Sequence, residues 1–366
     1  MRIAMLSPVS WRTPPRHYGP WELIVSLLTE GLAARGIDVT LFATSDSVTT
    51  AHLEGICPAP CEEDKRLDPK VWECLHISHL MEMASQFDLI HNHYDFLPLT
   101  YSRLISTPML TTIHGFSSPA ILPAYRRYNG YVGYVSISIA DRASDLDYIA
   151  NVYHGIAVEE FPYADRPGDY LLFFGRIHAD KGVREAIEAA RIFGMPLLIA
   201  GIVQDRKYFH EKIEPELDGR NVIYIGSVGP ERRGALLSGA YALLHLIGFN
   251  EPFGLSLIEA MACGTPVVAH PRGSIPELVD HGVTGFHVTG MKDTLQALDR
   301  VGSLDRSLCR RTVEERFHRD RMVRDYIDVY ARILSGALND GEGRREIRNR
   351  RELLAHTEGH GAVEKF

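Results

Sequence analysis

The stretch EPFGLSLIEAMACGTPVVA, Glu251 to Ala269, decides how this chain folds. A Gly-containing turn leads into an apolar helix, Gly264 ends that helix, and Pro266 opens a run that reads as a buried strand. Loop, helix, glycine and strand in that order belong to a parallel sheet covered by helices on both faces. The stretch also carries two carboxylates, Glu251 and Glu259, one on each side of the helix start. A loop entering a helix presents unpaired backbone N–H groups and the positive end of the helix dipole, a ready site for phosphate. A carboxylate on each side accepts hydrogen bonds from sugar or ribose hydroxyls. A nucleotide sugar has phosphates flanked by two sets of hydroxyls, so the pattern suits one. Glu259 stands in an otherwise apolar or small run, where a charge needs a specific partner.

The same alternation extends in both directions. The first half opens with the strand Arg2–Ser7, a Pro-rich loop and an amphipathic helix from Trp21 to Arg35, capped by Gly36. Strands follow at Asp38–Ala43, Phe87–His91, Met109–His114 and Tyr134–Ser138, with helices near Val71–Gln86 and Pro98–Ile105. A second series runs through Tyr170–Gly175, Pro196–Gly201, Asn221–Gly226, Tyr241–Ile247 and Thr265–His270. The polar stretch Glu159–Asp169, with Pro162 and Pro167, reads as the linker. The expected fold is α/β, with two doubly wound Rossmann-like domains, 1–160 and 161–334, facing a cleft at the carboxyl ends of their strands. Helices after Ser303 close the second domain and are expected to pack back on the first. The tail 335–366 is polar, with an Arg cluster from Arg344 to Arg351 interleaved with Glu342, Glu346 and Glu352, which reads as a solvated helix rather than a lipid contact.

Composition narrows the function. The 366 residues are 45% apolar, too many for one ordinary core, and the net charge of −8 offers no basic field for nucleic acid. The short apolar run before Pro8 is too brief for a signal peptide and no stretch reads as a spanning helix, so a soluble, cytoplasmic protein is expected. The five cysteines are an odd number, which argues against a disulfide framework. Cys57, Cys61, Cys74, His76 and His79 lie close in sequence without paired Cys-x-x-Cys spacing, so ordinary thiols are expected there and no metal.

Other candidates cluster at strand ends. Arg176 and Lys181, in GRIHADKG, follow the first strand of the second half, where cations neutralise a diphosphate. His114 ends a strand in TTIHG. His91, His93 and Asp95, in IHNHYDF, read as cleft lining available to an acceptor, as does His17 in the aromatic loop Trp11–Trp21. Gly19 in that loop lets backbone approach an anion. The first strand is followed by SPVSWRTPPRHYG rather than G-x-G-x-x-G, which counts against a dehydrogenase. A nucleotide-sugar epimerase and a non-catalytic two-lobe sugar-binding protein remain as alternatives.

Taken together, these residues resemble the retaining GT-B glycosyltransferases of glycosyltransferase family four. Glu251–Glu259 matches the family's E-x7-E. TTIHG, GRIHADKG and GSIPELVDHGVTGF stand around it in the family's order. The resemblance implies a metal-independent transfer of a hexosyl group, with retention, from a UDP- or GDP-linked sugar to a hydroxyl acceptor, and no cofactor beyond that donor. It assigns Glu251 and the backbone of Phe253, Gly254 and Leu255 to the sugar and phosphate, and Glu259 to the ribose. Arg176 and Lys181 fall on the diphosphate, His114 near the reacting centre, Gly19 on the phosphates, and the loop of Val228 near the base. The family often has Gly-Gly where this chain has Gly19–Pro20, and Pro20 has no N–H to offer a phosphate.

Overall fold

The computed structural model describes residues 1–116 and 118–336. The Arg cluster read in the tail lies outside them. Two sheets organise the chain. The first is built from β1 (Arg2–Leu6), β2 (Asp38–Phe42), β3 (His52–Glu54), β4 (Leu89–Asn92), β5 (Met109–Ile113), β6 (Gly133–Ser136) and β7 (Tyr148–Asn151). The second comprises β8 (Leu171–Phe174), β9 (Leu197–Ala200), β10 (Val222–Gly226), β11 (Ala242–His245), β12 (Val267–Ala269) and β13 (Gly285–His287). All named pairings are parallel, in the orders β3-β2-β1-β4-β5-β6-β7 and β10-β9-β8-β11-β12-β13. Strand order reverses between β1 and β4 and between β8 and β11. The crevice beyond those strands is where doubly wound sheets bind ligands.

The inner strands are buried along almost their whole length, because helices cover both faces. In the first half these are α1 (Pro20–Ala33), α2 (Pro69–Glu82) and α3 (Leu122–Tyr128). The second half adds α4 (Val183–Phe193), α5 (Arg206–Tyr208), α6 (Pro230–Ser238), α7 (Leu255–Ala262), α8 (Ile275–Leu278), α9 (Met291–Val301), α10 (Arg306–Arg316) and α11 (Arg319–Leu334). The Asp68 carboxylate starts α2 by accepting from the N–H groups of Lys70 and Val71. The segment expected to be helical near Pro98–Ile105 is instead a 3-10 turn, Leu97–Tyr101, started by Pro98.

The last described helix leaves the second half. α11 crosses back to pack on α1, where Gly31 lets Val323 approach, and its Met322, Val323, Tyr326 and Tyr330 join the core of the first sheet. The polar stretch after β7 is tied down: the Ala164 N–H donates to Cys263 O, and the Ala164 carbonyl accepts from Arg306. No helix among the described residues is long and apolar enough to cross a membrane.

Candidate active site

The site is assembled by loops at the carboxyl ends of β1, β8 and β11. In the second half, β8 runs into Gly175–Arg176 and a 3-10 turn that ends at Lys181. β11 ends at His245, and the loop after it carries Glu251. That loop is braced by the GSIPEL segment: the Ser274 N–H donates to Glu251 O at 2.9 Å and the Ser274 hydroxyl to Phe253 O at 2.6 Å. Gly254 then turns the chain into α7 with φ +99, a left-handed conformation that glycine adopts without a Cβ penalty. No side chain caps α7, and its start at Gly254, Leu255 and Ser256 faces the cavity between the two halves, where helix N–H groups can meet a ligand.

These loops and the Pro-rich loop after β1 enclose a cavity of about 200 Å³ between the two halves. Its lining includes Arg176, Lys181, Val228, Glu251, Gly254, Leu255 and Glu259 from the second half, and His17, Tyr18 and Gly19 from the first. Gly19 has φ +148, and a Cβ there would press on Pro15, Trp11 and the Glu22 carboxyl at 2.9 to 3.0 Å, so only glycine fits.

Charge in the cavity is paired. Lys181 Nζ donates to Glu251 Oε2 at 2.9 Å and sits 4.4 Å from the centre of the Phe249 ring. His245 Nε2 lies 3.2 Å from the same oxygen. Burial alone would raise the Glu251 carboxyl, but the hydrogen bond to His245 and the charge of Lys181 hold it down to about 2. Glu251 is therefore an ionised acceptor and not an acid. Both contacts fall on Oε2. Arg176 donates to the Gln204 side chain at the cavity wall.

Glu259 is almost fully buried on α7 and accepts from Arg233 Nη1 at 2.7 Å. Burial raises its carboxyl, and the Arg233 charge offsets that only in part. Arg233 lines the cavity, and its Nε is buried with no hydrogen-bond partner among the described residues. Nothing in the run PERRGALL marks Arg233 above its neighbour Arg232. His245, Tyr18 and Arg233 are the site residues that sequence reasoning missed.

His17 lines the cavity as expected, but His91 and His93 do not. His91 and His93 are fully buried. His91 Nε2 lies 2.8 Å from the Thr112 hydroxyl and Nδ1 2.7 Å from the Tyr330 hydroxyl, so α11 covers the strand face on which it stands. His93 Nδ1 lies 2.8 Å from His114 Nε2, and His114 Nδ1 lies 3.2 Å from His154 Nε2. Both ring nitrogens of His114 are thus occupied by other histidines, and one face of its ring is stacked on Trp21 at 5.2 Å. Its side chain is absent from the cavity lining. The Phe253 side chain is buried against His154 and Phe317, which leaves only its backbone near the site. Asp95 lies away from this cavity, in a second one described below. No three His, Cys, Asp or Glu side chains among the described residues are grouped to hold a metal ion.

Two doubly wound sheets facing a cleft define the GT-B architecture. The comparisons agree. Residues 162–314 match the model of glycosyl transferases group 1, and residues 22–144 match that of glycosyltransferase family 4. The D-inositol 3-phosphate glycosyltransferase of Arthrobacter sp. (strain FB24) is 27% identical over 345 residues, 76% of this chain and 82% of that protein. AviGT4, a glycosyltransferase involved in avilamycin A biosynthesis, superposes with a TM-score of 0.70 at 24% identity over 92% of this chain and 98% of its own. Anabaena HepE, solved with UDP and glucose, gives a TM-score of 0.71 at 18% identity over 90% and 99%. The chain belongs to the GT-B glycosyltransferases of family four, and it is a glycosyltransferase.

Proposed function

We propose that the protein transfers a hexosyl group from a nucleoside diphosphate sugar to a hydroxyl acceptor, with retention at the anomeric carbon and without a metal ion. The observation that carries this reading is one cavity lined by Arg176, Lys181, the open start of α7, Glu251 and Glu259. When the C1–O bond of the donor breaks, its electron pair goes to the diphosphate. Arg176, Lys181 and the helix terminus stabilise that charge, the work a metal does elsewhere. The acceptor oxygen bonds to C1 from the same face, and its proton goes to the departing phosphate oxygen. Glu251, ionised and held by Lys181 and His245, accepts hydrogen bonds from donor-sugar hydroxyls. Glu259, held by Arg233, accepts from the ribose. A UDP-linked donor is favoured, because HepE is solved with UDP and with UDP-glucose.

Thermal shift measurements with UDP, GDP and ADP, free and sugar-linked, test the donor, since a ligand of the folded state raises the apparent melting temperature. A shift with UDP and a larger one with a UDP-hexose are expected. Proton NMR of the first product, before any anomerisation, reads the stereochemistry, and turnover in EDTA reads the metal. An inverted product, a covalent sugar on Glu251 or loss of turnover in EDTA would each overturn its part of the reading.

A further inference from the structure

The cleft continues past Tyr18 and Pro20, which line both spaces, into a second cavity of about 490 Å³. Its walls are Pro8, Ser10 and Trp11 after β1, Trp21 and Glu22 in the first turn of α1, Glu73 on α2, and Tyr94 to Leu97 after β4. It sits where the strand order of the first sheet reverses, and its volume falls in the range, roughly 300–1,000 Å³, that holds small ligands. Trp11 meets Tyr18 edge to face at 5.8 Å, and Trp21 is backed by the stacked His114 ring, so the aromatic walls are rigid.

The acid–base side chains of this cavity are of one sign, beside the hydroxyls of Ser10, Tyr18 and Tyr94. Glu22, Glu73 and Asp95 supply three carboxyls, and no Lys, Arg or His lines it. The basic residues of the neighbouring loop are turned elsewhere, Arg12 to Pro14 O and Arg16 to Asp46 and Glu63. One Glu22 oxygen accepts from the Trp11 N–H at 3.2 Å and one Asp95 oxygen from the Tyr125 hydroxyl, so each carboxyl is held in a fixed orientation. The Tyr94 hydroxyl is buried beside the Glu73 carboxylate. Burial without a cation pushes Glu22 up to about 8 and Asp95 up to about 6.

We propose that this cavity is the acceptor subsite and that it selects an uncharged sugar or polyol ring, discriminating against phosphorylated and carboxylated acceptors. The inference rests on the glycosyl-transfer reading above. A pyranose or cyclitol ring lays its C–H face on Trp11 or Trp21 and donates its hydroxyls to the carboxyls. A phosphate would instead stand among acidic groups with no Lys, Arg or His in the lining to meet it. At neutral pH Asp95, with its carboxyl at about 6, is mostly ionised, and placing a phosphate beside it without a cation corresponds to discrimination of about a hundredfold or more.

The test titrates the full-length protein, saturated with UDP, with methyl α-glucoside, methyl α-mannoside, methyl α-galactoside and myo-inositol, and with glucose 6-phosphate, mannose 6-phosphate and glucuronate. Tryptophan fluorescence follows binding. At least one neutral ring should saturate with an affinity about a hundredfold above its charged counterpart. Glu73→Lys should narrow that gap by about tenfold through a gain for the phosphate ester, and Asp95→Asn should weaken neutral binding about tenfold. Equal or tighter binding of the phosphate esters, no saturable neutral ring, or a gap unmoved by Glu73→Lys would overturn the proposal. UDP affinity measured on the same samples separates the readings. If UDP binds and the ring preference fails, only the acceptor inference falls. If UDP does not bind, the donor site falls, and titrations without nucleotide decide the ring preference.

Discussion

Acidification should unfold this protein through histidines that have nowhere to put a second proton. His76, His91, His93, His114 and His154 are buried and neutral. Burial pushes His76 down to about 4 and His114 to about 3, and it takes the other three well below the usual value. Released into the unfolded chain, each binds a proton near pH 6.5. Their contribution to stability is therefore complete above that pH and is lost as pH falls toward their folded values. Three buried or half-buried carboxyls act in the opposite sense. Burial raises Glu22 to about 8, Asp141 to about 7 and Asp95 to about 6, so their contribution is complete at low pH and is lost as pH rises through those values. Balancing the five against the three puts maximal stability near pH 7. At about pH 5.5 unfolding takes up roughly two protons, a slope of about 3 kcal/mol per pH unit, and about 3 to 4 kcal/mol is lost between pH 7 and pH 5. That is a large part of a typical domain's roughly 5–15 kcal/mol. Urea unfolding at a series of pH values, followed by tryptophan fluorescence, measures it directly, because Trp21 is stacked on His114. A urea midpoint as high at about pH 5 as at about pH 7 would refute the reasoning. Glu22→Gln should move the maximum to higher pH, since it removes the carboxyl that destabilises the fold on the alkaline side.

Three further outcomes are expected. Arg176→Ala and Lys181→Ala should each lower kcat by roughly tenfold or more with a smaller effect on donor KM, and wild-type turnover in the double variant would reject the diphosphate assignment. Arg233→Ala leaves the Glu259 carboxylate buried and unpaired and should cost about 3–5 kcal/mol by urea unfolding, while adding Glu259→Ala should recover part of that loss and still weaken UDP binding. Arg306 is almost fully buried beneath α10 and donates to Ala164 O, Ala240 O, Ser238 O and the Thr265 hydroxyl. Arg306→Met strands those acceptors and should destabilise by roughly 4 kcal/mol or more, and a loss below about 1 kcal/mol would show that water replaces the guanidinium.

What the sequence disclosed divides along physical lines. The inner strands were legible because each is an apolar run between turn signals. The edge strands β3, β7 and β13 were not: three or four residues long, β3 and β7 half-exposed and β13 buried but only three residues, they are too short to produce a pattern. Glu251, Arg176, Lys181 and Gly19 could be singled out because each stands in a loop at a strand's carboxyl end, a position fixed by local order. Arg233 could not, since which of two adjacent helix arginines turns inward depends on the phase of α6 against a cavity formed elsewhere. His91 and His93 show the limit most clearly. Strand alternation puts them on one face, as read, but the occupant of that face is α11, whose Tyr330 lies 239 residues away in sequence from His91. No local signal reports a contact of that range.

That crossing also bears on how the two halves hold the loop that carries Glu251. Next to Glu251, the Pro252 carbonyl accepts from the Ser138 hydroxyl of the first half at 2.7 Å. The Glu277 carboxylate, in the segment that braces Glu251, accepts from the N–H groups of Ile139 and Ala140 and from the Tyr153 hydroxyl, at 2.9, 2.7 and 2.8 Å. Gly115 packs so closely on Pro252 that a Cβ there would stand 2.7 Å from its ring. α11 is anchored more firmly, by apolar burial in the first core together with buried hydrogen bonds of Tyr326 to Thr112 and of Tyr330 to His91. The two kinds of contact differ in what separation costs. Hydrogen bonds at a seam exchange readily with water, whereas uncovering α11 exposes Met322, Val323, Tyr326 and Tyr330. Any opening of the cleft must therefore break the Glu277 and Ser138 contacts first and keep α11 docked. The loop that carries Glu251 depends on donors from the first half for its position, so closure of the two halves and placement of the Glu251 carboxylate at the cavity are a single event.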